Sequence, residues 1–303
     1  MASWQAKVLN SVLSYIAKPG MHARGTRLSL ADIRRRLLAL DSRYLAWPKG
    51  LVSENLSLSH SCLIHYRLEP GAAPTPRIAI FYVRGGGFCF KTPNAHGRFI
   101  ADLCRELDAD AYVPDYRLAP EHPFPAPLED VLEGYERFLS RWSGPFVVMG
   151  DSAGGNLAMS LLLQVKEKGL RLPGCAVLLS PALDLGITGN SERLLSADDP
   201  LFSIESLLRL RGAYLQGANP MDVRASPLHG DLHGMPPMLL LAGTRELLLE
   251  DSERMALRLR ESGAEVEQHF LAHMPHVFPL FEILPEAREA REFILEFIQR
   301  RLM

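Results

Sequence analysis

The chain has 303 residues, 47% of them hydrophobic and 22% charged, which suffices for a sizeable buried core and excludes a disordered or fibrous protein. Its formal net charge is −2 with the basic residues dispersed, which removes the electrostatic footprint of a nucleic-acid binder. Cys62, Cys89, Cys104 and Cys175 show neither CxxC pairing nor histidine partners at metal-ligand spacing, so they read as reduced thiols of a cytoplasmic protein without a metal site.

The opening segment, "MASWQAKVLNSVLSYIAKPG", lacks the continuous apolar core of a secretory signal, and no stretch approaches the ~18 apolar residues of a membrane span. Trp4, Val8, Leu9, Val12, Leu13 and Ile16 recur at helical spacing. The expected helix packs this face on the protein itself, with a lipid-facing surface as the alternative. "SLADIRRRLLAL" predicts a second helix started by Ser29, with Ile33, Leu37 and Leu38 on one face and the run Arg34, Arg35, Arg36 on a solvated one. Residues 55–68 alternate as an edge strand or hairpin would, and "EPGAAPTPR" reads as a surface turn.

From there short apolar runs alternate with helical segments, the pattern of a parallel sheet wound by right-handed crossovers. The strand candidates are "IAIFYV", "AYVPDY", "FVVMG", "AVLLSPA", "MLLLAG" and "VEQHFLA", all read as fully buried. Helices are expected near 95–107, 127–142, 154–168, 250–262 and 286–302, the last with Phe293, Ile294, Phe297, Ile298 and Leu302 in one stripe. Residues 186–225 break the rhythm, because "SIESLLRLRGAYL" is helical where a strand is due, and read as an insertion above the sheet. The simplest architecture is one α/β domain over 1–303 carrying a cap.

Gly150-Asp151-Ser152-Ala153-Gly154 is a G-x-S-x-G between a buried strand and a helix. A serine held on so tight a turn needs neighbours at minus two and plus two that are nearly free of side chain. It also stands at a helix N-terminus, where free N–H groups favour developing negative charge. A serine hydroxyl needs a base, and the base needs an orienting carboxylate; in this arrangement both follow the serine in the chain. His276, in the loop after the last strand, is the candidate base, with His273 as rival and His269 inside the strand. Glu246, just past "MLLLAG", is the candidate acid, with Asp251 second; Glu250 and Asp251 are otherwise explained as helix-dipole partners.

An acyl-transfer site also needs N–H donors for an oxyanion, and the candidates are Ala153 and the 85–87 loop of "YVRGGGFCF". Glycine there keeps Cβ atoms off the substrate and permits positive φ. No Lys-Ser/Thr follows, so a phosphate loop is set aside.

"RGGGF", "DYRLAPEHPFPA", "GDSAGGN", "GTRELLLEDS" and "HMPHVF", in that order over about residues 77–280, resemble the motifs of the hormone-sensitive-lipase-like family of α/β-hydrolases. The resemblance implies an α/β-hydrolase fold, a mostly parallel central sheet flanked by helices, with a helical cap from about 1–50 and 186–225. It implies Ser152 as nucleophile, Glu246 as acid, His276 as base, and Gly86, Gly87 and Ala153 as oxyanion donors, with Gly85 shaping the loop. Many members place Asp where Glu246 stands, and His where Arg84 stands. Arg84 therefore either braces the loop or turns its permanent charge to the pocket.

The function expected is a serine carboxylesterase of short- to medium-chain acyl esters, needing no cofactor and no metal. Lactone hydrolysis, metabolite deacetylation and amide hydrolysis are alternatives on the same triad, and a non-catalytic small-molecule receptor is the reading from another class. A homodimer edge at the C-terminal helix and the strand near "MLLLAG" is left open.

Overall fold

The computed structural model describes residues 2–18, 28–69, 76–190 and 198–303. The expected turn over 69–77 and both expected cap segments lie partly outside these residues, and so does the Ile16 side chain.

Apolar runs too short for a helix become strands covered on both sides. "IAIFYV" and "MLLLAG" do so with the expected bounds, as β3 (Ile78–Val83) and β7 (Met238–Gly243). With β1 (Leu51–Ser57), β2 (Cys62–Leu68), β4 (Ala109–Pro114), β5 (Phe146–Asp151), β6 (Cys175–Leu179) and β8 (Val266–Leu271), they form one eight-stranded sheet ordered β1-β2-β4-β3-β5-β6-β7-β8. β1 and β2 make the expected hairpin, β2 runs antiparallel to β4, and the remaining neighbours are parallel.

Successive side chains of a strand point to opposite faces, and β3 divides accordingly. Ala79, Phe81 and Val83 join a core with Tyr135 and Phe138 of α4 (Ala126–Leu139) and Leu157 and Leu161 of α5 (Ser152–Glu167). Ile78, Ile80 and Tyr82 join the other, with Phe99 and Leu103 of α3 (Pro93–Leu107) and Ile294 and Phe297 of α8 (Pro285–Leu302). Each such fully buried side chain contributes roughly 1.5–3 kcal/mol. The strand order reverses between β3 and β5, so the loops leaving their C-terminal ends splay apart and open a crevice, the place where ligands bind in open α/β sheets.

Several expectations are corrected by packing. The first helix, α1 (Trp4–Val12), continues through one wider turn to Ala17, but its inward face is Ala6, Asn10 and Leu13. Trp4, Val8, Val12 and Tyr15 stand 71%, 54%, 44% and 82% exposed. Polar ties set this rotation: Ser3 N and Oγ donate to Glu286 at 2.7 and 2.9 Å, and Asn10 Nδ2 donates to the His273 carbonyl at 3.0 Å. In α2 (Leu30–Tyr44), Ser29 caps the helix as expected, accepting from Asp32 N at 3.1 Å while its own N–H donates back to Asp32. Leu38 nevertheless faces solvent, and Arg34 does not. Arg34 donates to the carbonyls of Cys89 and Ala119, each at 2.8 Å, and pairs with Glu121, tying α2 to the loop after β3.

β8 is only half-buried, because β7 is its sole strand neighbour and its outer edge is open. Arg300 and Arg301 cover part of it through Glu267 and Glu265. The 186–225 insertion contributes α6 (Ile204–Leu215), and α7 (Leu249–Glu261) follows β7. Among the described residues no helix is long and apolar enough to cross a membrane.

Candidate active site

β5 runs directly into α5, and the joint is Ser152 with φ 53°, a left-handed conformation that a non-glycine residue holds only under constraint. The flanking glycines are required by contact. A Cβ on Gly150 would lie 2.5 Å from the Gly154 carbonyl oxygen, and one on Gly154 would lie 2.1 Å from that of Val83. The turn thus pins α5 against both β5 and β3.

The loop after β8 brings His276 to this serine, with Nε2 2.9 Å from Ser152 Oγ. Nδ1 lies 2.8 Å from Glu246 Oε2, so Nδ1–H donates to the carboxylate and Nε2 accepts from the serine hydroxyl. All three side chains are buried. Burial opposes protonation of His276, but the bonded Glu246 carboxylate outweighs it, with Asp199 and Asp151 adding to the field, and the imidazole pKa rises above its ordinary value.

Glu246 is itself held. Its Oε1 accepts from Ser180 Oγ at 2.7 Å and from the Gly243 N–H. Ser180 follows β6 at φ 47°, which ends that strand earlier than expected and turns the hydroxyl under the site. The same hydroxyl accepts from Val277 N at 3.0 Å, so one buried group fixes both the carboxylate and the histidine loop. Ser180→Ala leaves a buried carboxylate oxygen and a buried N–H short of a partner, and is expected to lower kcat roughly 10- to 100-fold with little change in KM. An unchanged kcat would show that the Gly243 N–H alone holds Glu246 in place.

The glycine loop leaves β3 beside this serine. Gly85 N donates to Asp151 Oδ1 at 2.8 Å, and a Cβ there would meet Asp151 Oδ2 at 2.2 Å, so its role is close approach. Gly86 and Gly87 have φ 121° and 56°. Among the described residues, nothing accepts from the N–H groups of Gly86, Gly87 or Ala153. Asp151 also accepts from Tyr82 Oη at 2.9 Å and from His96 Nε2 at 3.2 Å. Burial disfavours the imidazolium of His96, yet the Asp151 carboxylate bonded to it outweighs burial and raises its pKa above the ordinary value.

Arg84 is 4% exposed and does not line the cavity in front of Ser152. Its guanidinium donates to the carbonyls of Phe90 at 3.2 Å and Tyr116 at 3.3 Å and to Asp115 at 3.0 Å, and stacks 4.2 Å over the Tyr116 ring. Burial alone would raise the Asp115 pKa, but Arg84 and Lys91 hold it below the usual range. Arg84 therefore braces the loop, and the pocket-charge alternative falls. Arg84→His is expected to preserve the order of preference across acyl lengths while lowering kcat/KM about 10- to 100-fold, since an imidazole replaces only part of this donor set. A reordered preference in the same substrate panel would reopen the alternative.

The cavity reaches from Ser152 and Ala153 to Phe202, Leu207, Leu248 and Arg211. The two rival site residues lie elsewhere in the chemistry. His273 is exposed, and its N–H donates to Thr244 Oγ1 at 2.9 Å. Asp251 accepts from the N–H groups of Leu183 and Asp184, and burial pushes its carboxyl up to about 7. Its helix-dipole explanation is thus incomplete, as is that of Glu250, which accepts from Asn190 N at 2.8 Å. His269 stacks on Phe293 with centroids 3.9 Å apart. Among the described residues, no group of three or more His, Cys, Asp or Glu side chains is placed to hold a metal ion.

A family model described as the alpha/beta hydrolase fold matches residues 80–280. A solved esterase from the bacterial hormone-sensitive lipase family superposes with a TM-score of 0.88 at 28% identity, each chain covered to 100%. The chain belongs to the hormone-sensitive-lipase family of α/β-hydrolases. Relatives of this α/β-hydrolase include an esterase of Acinetobacter venetianus, 37% identical over 72% of this chain and 73% of that one. An acetyl-hydrolase of Streptomyces hygroscopicus is 33% identical over 73% of this chain and 75% of its own. Within this α/β-hydrolase, Ser180, His96 and Tyr82 escaped the sequence reading. For Ser180 a signal existed: a polar residue at the C-terminal end of a buried strand, where site residues gather.

Proposed function

We propose that this chain is a serine carboxylesterase in which Ser152 is the nucleophile, His276 the general base and acid, and Glu246 the orienting carboxylate. One observation carries the reading: an unbroken hydrogen-bonded chain Ser152–His276–Glu246 at the floor of an apolar cavity, beside three N–H groups without protein partners among the described residues. Ser152 Oγ attacks the ester carbonyl as its proton passes to His276 Nε2. The carbonyl oxygen becomes an oxyanion and accepts from Gly86, Gly87 and Ala153. Collapse expels the alcohol, protonated by His276, and leaves an acyl-enzyme. Water then attacks, its proton taken by His276, and the acid departs with Ser152 restored.

The apolar wall suits short- to medium-chain acyl groups. We read the cap as built from about 1–50 and 186–225, with α6 the helix of these segments that lines the cavity. Four cysteines without disulfide partners fit a reducing, cytoplasmic setting. The open edge of β8 beside α8 is the surface at which a homodimer would form, a point sizing of the purified protein decides.

The test combines turnover of p-nitrophenyl butyrate with a serine-reactive fluorophosphonate. The expected result is ester turnover that stops in step with a single adduct mapped to the peptide of Ser152. An adduct elsewhere, or full turnover after complete labelling of Ser152, removes the assignment.

A further inference from the structure

Most polar groups around the substrate cavity have their partners within the protein. Asp184 accepts from Thr188 N and Oγ1, from His229 Nε2 and from Arg254 Nη1. Asp251 is occupied by two backbone N–H groups and Glu250 by that of Asn190. Arg211 differs. It is the only basic residue lining the cavity among the described residues, and it interrupts an apolar wall of α6 made by Leu207, Leu208 and Leu210. Its Nε is shut off from solvent with no hydrogen-bond partner, and no described residue forms an ion pair with it.

A guanidinium stays charged at every pH the protein meets, so it cannot escape a partnerless position by losing a proton. With Nε closed off, the terminal Nη groups are left to the cavity side, and they offer two parallel N–H groups at the spacing of a carboxylate, the geometry of strong charge-assisted pairs. A guanidinium without an ion-pair partner among the described residues, on the wall of the cavity that also holds Ser152, is half of an ion pair whose other half enters with the ligand.

We propose that Arg211 binds an anionic acceptor group of the substrate, so that the preferred esters carry a carboxylate at a distance from the scissile bond. This rests on the serine-esterase reading above. The carboxylate can belong to the acyl half, as in half-esters of dicarboxylic acids, or to the alcohol half.

The two halves are told apart by substrate pairs of equal length assayed by pH-stat with the purified full chain. Monoethyl succinate, adipate and suberate are compared with ethyl butyrate, hexanoate and octanoate; 3-(butyryloxy)propanoate is compared with propyl butyrate. One anionic series is expected to exceed its neutral partner in kcat/KM by about tenfold at its best length, as a charge-assisted pair allows. That ratio is expected to fall at least tenfold in Arg211→Met and to survive in part in Arg211→Lys. Raising ionic strength should reduce it in the wild-type protein, which keeps a readout if Arg211→Met does not fold. Neutral esters turned over with no preference for either anionic series, or a preference for ω-ammonium esters, overturns the inference and leaves the esterase reading standing. No turnover of any ester overturns the esterase reading itself. A ratio unchanged in Arg211→Met assigns the preference to another group and ends the proposal.

Discussion

Ser152→Ala is expected to lower kcat for p-nitrophenyl butyrate by roughly 10⁵- to 10⁶-fold, because the acyl-enzyme route closes and only binding and oxyanion stabilisation remain. The cavity and the N–H groups of Gly86, Gly87 and Ala153 are untouched by this change, so KM should move little. His276→Ala should cost about as much, and the double variant little more than either alone, since the pair acts as one unit through its 2.9 Å contact. A residual rate within about 100-fold of wild type, in a protein with an unchanged melting temperature, would exclude Ser152 as nucleophile.

Glu246→Gln is expected to lower kcat about 10³- to 10⁴-fold and to displace the acid limb of the pH profile. The sign follows from the histidine. The proposed mechanism needs neutral His276 to accept the serine proton, and the Glu246 charge beside Nδ1 favours the imidazolium, raising its pKa above the ordinary value. In wild type, kcat/KM should therefore fall as pH drops through a midpoint above about 6.5. An amide removes that charge, so the midpoint moves to lower pH even as the rate drops. A log kcat/KM profile with the acid limb unmoved would mean that the limb belongs to another group, His96 with its own raised pKa being the first to examine.

Much of this architecture was legible because it depends on short-range pattern. "IAIFYV" and "MLLLAG" are apolar at every position, and only a strand covered on both sides makes use of that. The elbow was legible because Gly150 and Gly154 are demanded by backbone contacts within the motif and with β3. "VEQHFLA" misled, since hydrophobicity does not state whether a second strand lies alongside. α1 misled for a related reason: periodicity shows which residues are apolar, while Glu286 and the His273 carbonyl, distant in the chain, decide which side faces inward. Ser180 is marked locally only as a polar residue at the end of a buried strand; its bond to a carboxylate 66 residues away is in no local pattern. Arg84 had two readings until the partners of its guanidinium were placed, and Arg34 was mistaken for a solvated charge because its carbonyl acceptors lie 55 and 85 residues away.

Asp151 is a single carboxylate bonded to both the glycine loop and His96, one residue from Ser152. Ser152 and the glycine loop are thereby referenced to a common point beneath the sheet's C-terminal rim, whereas most of the remaining cavity wall comes from α6 and the segments beside β6 and β7. α6 touches the glycine loop through Leu210 and through Tyr214 stacked on Phe88, while Leu207, Leu208 and Arg211 face the cavity. A lineage, or a laboratory library, can rewrite Leu207, Leu208 or Arg211 in search of new substrates without disturbing the spacing on which bond cleavage depends.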